Sequence, residues 1–343
     1  MSDPARFVSE TRLIAIICHL FETAGVPQGH AQLAARVLAV ADLRGVSSHG
    51  MRLIGYNIHR LQHGGANPRP NIRPVTCFGA LEALDGDFGM GMVCASVAME
   101  RAIAHAIESG IGCVTVRQSN HCAACGAYAL MAVECGLIGI ALSNTPPNMA
   151  IEGAADRAIG NNPLAIGAPG PDFPVVLDMA MSVASGGRMG TLRRAGKSIP
   201  SEWVIMSPDG KPVMRPFGGP KGSGLAVMVE ILTGVLAGGA ILSQQSPGRG
   251  FSATTADNCT QTAIAINLHA LVSEDRYNVT IRQLVAELKA VARAPGIEEI
   301  LLPGERAWQE TLRRRAEGIP LEPDVVEMLE SLAQELGTAV PWE

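Results

Sequence analysis

The chain has 343 residues, 47% apolar and 17% charged. These are the proportions of a globular protein with a sizeable core, about two domains long, and not of a disordered chain. A formal net charge of −5 argues against nucleic acid or an anionic membrane surface as a partner held by bulk charge. No apolar run approaches the ~20 residues of a membrane span; the richest stretch, 227–242, is interrupted by Glu230 and several glycines. The N-terminus has no basic start followed by an apolar block. Eight scattered cysteines are too few for a disulfide scaffold and suit a reducing, cytoplasmic setting.

Helical spacing of Val8, Leu13, Ile16, Ile17 and Leu20 predicts a first helix over 8–24, and a second runs from His30 to Leu43. Residues 64–74 (GGANPRPNIRP) form a connector. Residues 81–84 read as a strand, and 90–109 as a long helix stopped by Gly110. A strand–loop–helix–strand unit follows: 112–117, 118–126, 127–135 and 137–143. That order predicts an α/β core. Short strands are expected at 164–167 and 175–177, the second delivering Asp178 at its end. The Gly/Arg-rich stretch 182–198 reads as mobile, 203–206 as a strand and 208–211 as an ordinary turn. Residues 218–224 (GGPKGSG) precede an apolar helix at 225–236; 238–258 is loop, 262–267 strand, and helices near 280–293, 305–317 and 322–336 close the chain.

Among the motifs, Ser48-His49-Gly50-Met51-Arg52 follows a helix and is itself followed by Tyr56. Histidine can give and take a proton near neutral pH, arginine offers a planar fork for a carboxylate, and the Ser48 hydroxyl can orient the ring. The plainer reading is a turn shaped by Ser48 and Gly50 with His49 in solvent. Ser119-Asn120-His121 lies at the end of a buried strand, where ligands gather in α/β proteins, and His121 is a ligand candidate. Cys122 and Cys125 form a CxxC pair. A redox pair would need a helix N-terminus to lower one thiol. Zinc would need a second ligand pair, which is missing, so no metal site is expected. Asp178 could accept from a ribose hydroxyl, cap a helix or pair with an arginine. Lys221 stands out because the chain has only four lysines; in GGPKGSG, ahead of a helix, it could meet a phosphate. The segment is neither GxxxxGK[ST] nor GxGxxG, and the Rossmann fingerprint is absent. Pro303-Gly304-Glu305-Arg306 reads first as a helix start and second as a phosphate contact.

Taken in order, ADLRGVSSHG (41–50), SNH (119–121), GNNPLAIGAPG (160–170), LDMAMS (177–182), IPSEW (199–203), PFGGPKGSGLA (216–226) and LLPGER (301–306) resemble the type-2 malate/L-lactate dehydrogenase family over about residues 6–336. The resemblance implies an α/β fold with a non-Rossmann dinucleotide-binding domain (76–265) between an N-terminal helical region carrying the catalytic segment (1–75) and a C-terminal helical region (266–343). It implies a homodimer that uses NAD or NADP to move hydride to or from a 2-oxo/2-hydroxy carboxylate, or to reduce a cyclic imino acid. By the same resemblance His49 is the proton donor/acceptor, Ser48 orients it, Arg52 holds the substrate carboxylate, and His121 is the second active-site histidine. His121, Thr145, Asp178, Met179, Ala180, Lys221, Gly304 and Arg306 fall where the family contacts the dinucleotide. One residue, Met51, separates Gly50 from Arg52 where the family has two, and Arg188 stands where lysine is usual. A thiol redox protein built on Cys122 and Cys125, and a non-catalytic dinucleotide-binding member, are the alternatives of other classes.

Overall fold

The computed structural model describes residues 5–245 and 252–343. Of the expected loop 238–258, residues 246–251 lie outside the described ones. A short strand, β1 (Arg6–Val8), leads into α1 (Glu10–Thr23), capped by the Ser9 hydroxyl, and α2 (Gln28–Leu43). Two short 3-10 turns, Ser47–His49 and Met51–Leu53, carry the chain to α3 (Ile54–His63). Then come β2 (Arg73–Phe78), β3 (Leu81–Asp85), α4 (Gly91–Ser109), β4 (Ile111–Ser119), α5 (Gly126–Glu134) and β5 (Ile138–Ser143). The chain continues through β6 (Leu164–Ala168), β7 (Val175–Met179), α6 (Gly186–Arg194), β8 (Val204–Met206), β9 (Pro212–Met214) and α7 (Pro220–Glu230). It ends with β10 (Cys259–Ile266), α8 (Glu274–Ala290), α9 (Glu305–Glu317), β11 (Ile319–Leu321) and α10 (Pro323–Glu335). β2 runs across the 75/76 division expected from sequence.

Seven strands form one mixed sheet in the order β2-β3-β4-β10-β5-β6-β7. Only β3 and β4 pair in parallel, joined by α4; every other neighbouring pair is antiparallel. The α/β expectation holds, but β4 and β5 are not neighbours. β10, arriving from late in the chain, inserts between them. Its run CTQTAIAI is buried along most of its length, as a central strand covered on both faces must be. β2, with Pro74 and a register shift beside it, takes the edge, where a missing N–H costs least.

The main core joins α1–α5, the sheet and α10, with Leu13, Ile17, Leu38, Ile58, Met99, Val116, Tyr128 and Leu329 among its members. A smaller core (Leu142, Met149, Ile159, Met181, Ala226, Val229) lies under α7. Two segments depart from expectation. The stretch 182–198 contains α6, whose start is fixed by Ser185 accepting from the Arg188 N–H and by Arg188 stacking 4.8 Å from the Trp203 ring. The helix expected at 225 begins at Pro220, because Gly219 turns the chain at φ 60° and Pro220 sits in the first turn. It loosens into a π-helical turn at Ile231–Val235, where Thr233 Oγ1 bonds back to the Val229 carbonyl at 2.6 Å. Among the described residues no helix is long and apolar enough to cross a membrane.

Candidate active site

Ser48 and His49 form a pair: Ser48 Oγ and His49 Nδ1 are 3.0 Å apart. The hydroxyl can donate to or accept from this nitrogen, so it serves either ring tautomer and leaves Nε2 for other work. His121, placed by the end of β4, brings its ring centroid 5.9 Å from that of His49. Burial, and then the neighbouring His121, lower His49 to about 4. Burial, and then Arg60, lower His121 to about 4. Both rings are therefore neutral at pH 7 in the free protein.

α6 comes down over this pair. A Cβ on Gly187 would stand 2.6 Å from Ser48 Cβ and 2.8 Å from its Oγ, closer than atoms tolerate. Gly187→Ala is expected to lower turnover about tenfold or more by displacing Ser48, with the circular dichroism spectrum unchanged. Unaltered steady-state turnover would mean that α6 yields instead.

Behind His121 lies a buried polar network that the sequence reading missed. Arg60 is 1% exposed and donates to Asp257 Oδ1 at 2.7 Å, to Asn120 Oδ1 at 2.7 Å, to the carbonyls of Gly65 and Thr255, and to Tyr56. Asp257 Oδ2 accepts from the His121 backbone N–H at 3.2 Å and from the Tyr56 hydroxyl at 3.3 Å. This network ties α3, the SNH turn and the 252–258 segment together beneath the second histidine. Arg60 lies four residues after Tyr56 on one helix face, the single hint that the sequence offered.

Of the expected cofactor residues, Thr145, Asp178, Met179, Ala180 and Lys221 lie on the stretch from the end of β5 to the first turn of α7. Buried Thr145 donates from its N–H to Asn162 Oδ1 and from Oγ1 to Asn161 Oδ1, both at 3.0 Å. Asn162 in turn donates to Glu230 and to the Ala226 carbonyl of α7, the helix that carries exposed Lys221 in its first turn. The Asn161 carbonyl accepts from Met181 N, and the Met181 carbonyl from Phe217 N, so Met179 and Ala180 are held between the GNNP turn and the start of α7. Asp178, near the end of β7, accepts from Gly126 N at 3.0 Å and so caps α5. Although solvent reaches its side chain, burial pushes its carboxyl above the ordinary range, ahead of the opposing pull of the Gly126 N–H and of Arg44. Asn148 Oδ1 is buried with no hydrogen-bond partner among the described residues, while its Nδ2 donates to Asn161. A free acceptor beside Thr145 suits a ligand that brings an N–H donor, such as a carboxamide.

Gly304 has a positive φ of 84°, and a Cβ there would meet the Val176 backbone at 2.8 Å. Its place is thus a close approach of the α9 start to β7, reinforced by the Val176 N–H donating to the Pro303 carbonyl. Arg306 is exposed in the first turn of α9. Arg52 is engaged elsewhere: its guanidinium forks onto Asp324 of α10 at 2.5 and 2.9 Å. Cys122 and Cys125 are buried, free and part of the main core, with the Tyr128 hydroxyl donating to the Cys122 carbonyl.

A mixed-sheet α/β protein whose serine-paired histidine faces a second neutral histidine has the parts of an enzyme that moves protons. The profile of the malate/L-lactate dehydrogenase family matches residues 8–330. Malate dehydrogenase from Pyrococcus horikoshii is 34% identical, with 96% of this chain and 95% of that protein covered. L-sulfolactate dehydrogenase from Methanocaldococcus jannaschii is 35% identical with 96% of each covered, and the NAD(+) ureidoglycolate dehydrogenase of Escherichia coli K12 is 32% identical with 94% of each covered. Among solved structures, the P. horikoshii enzyme superposes with a TM-score of 0.89 at 32% identity over 99% of this chain and 98% of that one. The delta1-piperideine-2-carboxylate reductase of Pseudomonas syringae gives 0.84 at 26% identity over 96% and 100%. This chain belongs to the malate/L-lactate dehydrogenase family and is an oxidoreductase.

Proposed function

We propose that the protein moves hydride between the nicotinamide of NAD or NADP and the carbon next to the carboxylate of a small 2-oxo or 2-hydroxy acid, with His49 handling the proton. The observation that carries this reading is the Ser48–His49 pair opposite His121. In oxidation, neutral His49 takes the hydroxyl proton at Nε2 while Nδ1–H donates to Ser48 Oγ. In reduction, His49 must first gain a proton, and a substrate carboxylate beside it raises its affinity for one. His121 polarises the reacting oxygen. Arg52 takes the substrate carboxylate in exchange for Asp324. That exchange costs little, because Arg52 and Asp324 are 26% and 55% exposed and such surface pairs contribute little.

When bound, the dinucleotide supplies the hydride or accepts it. Thr145, Asp178, Met179, Ala180, Lys221 and the Gly304–Arg306 turn, with Asn148 as an acceptor, are the residues that would hold it. The superposition on a cyclic-imine reductase supports a second substrate class, a cyclic imino acid reduced by NADPH. The test is fluorescence titration of the purified protein with NADH and NADPH, then loss of reduced-nicotinamide absorbance with a panel of 2-oxo acids and cyclic imino acids. Binding with turnover supports the reading and selects cofactor and substrate. Binding without turnover favours a non-catalytic member, and no binding overturns the reading.

The homodimer is supported by an apolar face on α7 and the turn after it. Leu225, Val227, Met228, Ile231, Leu232, Val235 and Leu236 are each 40–59% exposed, and large apolar side chains grouped on one stretch in this way suit an interaction surface. A second copy of the chain is the proposed occupant. Leu232→Asp with Val235→Asp is expected to halve the mass measured by light scattering; a parent protein already at monomer mass would refute the dimer. Exposed free thiols at Cys77 and Cys135 suit a reducing compartment, in keeping with a cytoplasmic setting. The three-part division at 1–75, 76–265 and 266–343 remains part of this proposal.

A further inference from the structure

The catalytic pair sits in a segment with little regular structure of its own. Its two 3-10 turns meet at Gly50 and have few internal bonds: His49 N to the Val46 carbonyl at 2.9 Å, Gly50 N to that of Ser47 at 3.3 Å, and Leu53 N to that of Gly50 at 2.9 Å. Three-residue turns of this kind do not hold a side chain still. Beneath them lies a carboxylate that the proposed chemistry does not use. Asp42, in the last turn of α2, is 3% exposed. Its Oδ2 accepts from Met51 N at 2.6 Å, and the Ser47 side chain adds a second hydrogen bond. These two contacts fall on either side of His49. Between them, Gly50 lies flat on the carboxylate: a Cβ there would be 2.3 Å from Asp42 Cγ and 2.4 Å from each oxygen.

The surroundings are specific to this group. The Asp42 carbonyl accepts from Arg314 Nη1 of α9 at 2.7 Å, while Arg314 Nε donates to Glu310 at 2.5 Å. Burial pushes the Asp42 carboxyl up to about 6, against the Met51 N–H, Arg314, Ser47 and Arg52, which all pull it down. Burying a carboxylate is costly, and an apolar residue of similar size would suit a helix–core junction better. A lone carboxylate bonded on both flanks of one histidine, with a glycine pressed onto it, fixes the turn and adds nothing to the core.

We propose that Asp42 is a positioning residue for the proton transfer: it holds the 47–53 segment on both sides of His49, so that the imidazole keeps the orientation its pairing with Ser48 requires. The proposal rests on the reading of His49 as the proton carrier. It is tested on the full-length enzyme at about pH 8, where Asp42 is ionised, with three readouts. These are kcat and KM on whichever carboxylate is turned over, NADH affinity by fluorescence, and the His49 imidazole signal in a 1H–15N spectrum, identified by its loss in His49→Asn.

For Asp42→Ala the expected result is a fall in kcat of about 10²-fold with NADH affinity within about threefold of the parent and a displaced His49 signal, as misplacing a reacting group demands. Asp42→Asn, whose amide oxygen still accepts from Met51 N–H, should recover kcat to within about fivefold. Should Asp42→Ala lose NADH binding and so fail to fold, Gly50→Ala decides in its place. That variant keeps the acid but drives a methyl group into it, and it should displace the His49 signal in the same way. A kcat for Asp42→Ala within about threefold of the parent, or an unmoved His49 signal in the folded variants, overturns the proposal. If His49→Ala itself keeps full turnover, the proton-carrier reading fails, and the His49 signal alone still reports whether Asp42 holds the ring.

Discussion

His49→Ala is expected to lower kcat at least a hundredfold, about 2.7 kcal/mol in the barrier, with NADH affinity close to that of the parent. A positioned acid or base contributes about 10²–10⁴-fold, and the structure gives His49 what such a group needs: a hydroxyl that fixes one nitrogen at 3.0 Å and a free second nitrogen. The pH dependence follows from its lowered affinity for protons. In the free enzyme His49 titrates at about 4 and is the base across the neutral range. kcat/KM for oxidation, which reports free-enzyme groups, should therefore be level between about pH 7 and 8.5. kcat/KM for reduction needs the protonated ring, whose fraction falls about tenfold per pH unit over the same window, and it should fall with it. A break in the oxidation profile between about pH 7 and 8.5 would show that a group other than His49 is the base. Near-parental turnover in His49→Ala would remove His49 from the chemistry altogether.

Much of this site could be read from the sequence because its parts are local. Ser48 and His49 are neighbours, His121 follows a strand of buried residues, and Gly110 marks a helix end by its own chemistry. The α/β core was visible in the alternation from β3 to β5. β10 was identified as a strand, but its place between β4 and β5 was not legible, because strand order depends on contacts 118 to 155 residues apart in the chain. α6 was hidden for a different reason. Its glycines lower its intrinsic helix propensity, and it is tertiary contacts, the stacking of Arg188 on Trp203 and the packing of Gly187 on Ser48, that accompany the helix. The resting partner of Arg52 was not legible either. One residue fewer before it turns a side chain by about 100°, and here the guanidinium meets Asp324. Asp42 and Asp257 were invisible in sequence because a buried carboxylate looks like any other until its partners are placed around it.

Asp257→Ala should be the most destabilising of the single substitutions considered. It leaves the Arg60 guanidinium, 1% exposed in its side chain against 0% for Asp257, as an uncompensated charge in the core. Breaking a buried pair from one side costs about 3–5 kcal/mol, to be read as a lower urea midpoint with an unchanged slope. The three carbonyl oxygens that Arg60 retains, on Gly65, Thr255 and Asn120, soften this only in part, since they carry no full charge. A loss below about 1 kcal/mol would mean that those dipoles suffice. Stability and catalysis can then be separated by removing both partners at once. Arg60→Met with Asp257→Leu replaces the pair by apolar side chains of similar volume, which is often neutral or even stabilising. If the network exists only to fill the core, this double variant should recover both stability and turnover. We expect stability to return only in part, because the His121 N–H, the Tyr56 hydroxyl and the carbonyls of Gly65 and Thr255 lose these partners, and turnover to stay low, because the carboxylate that helps to hold the His121 backbone opposite His49 is gone. Full activity in the stable double variant would assign Arg60 and Asp257 to the fold alone.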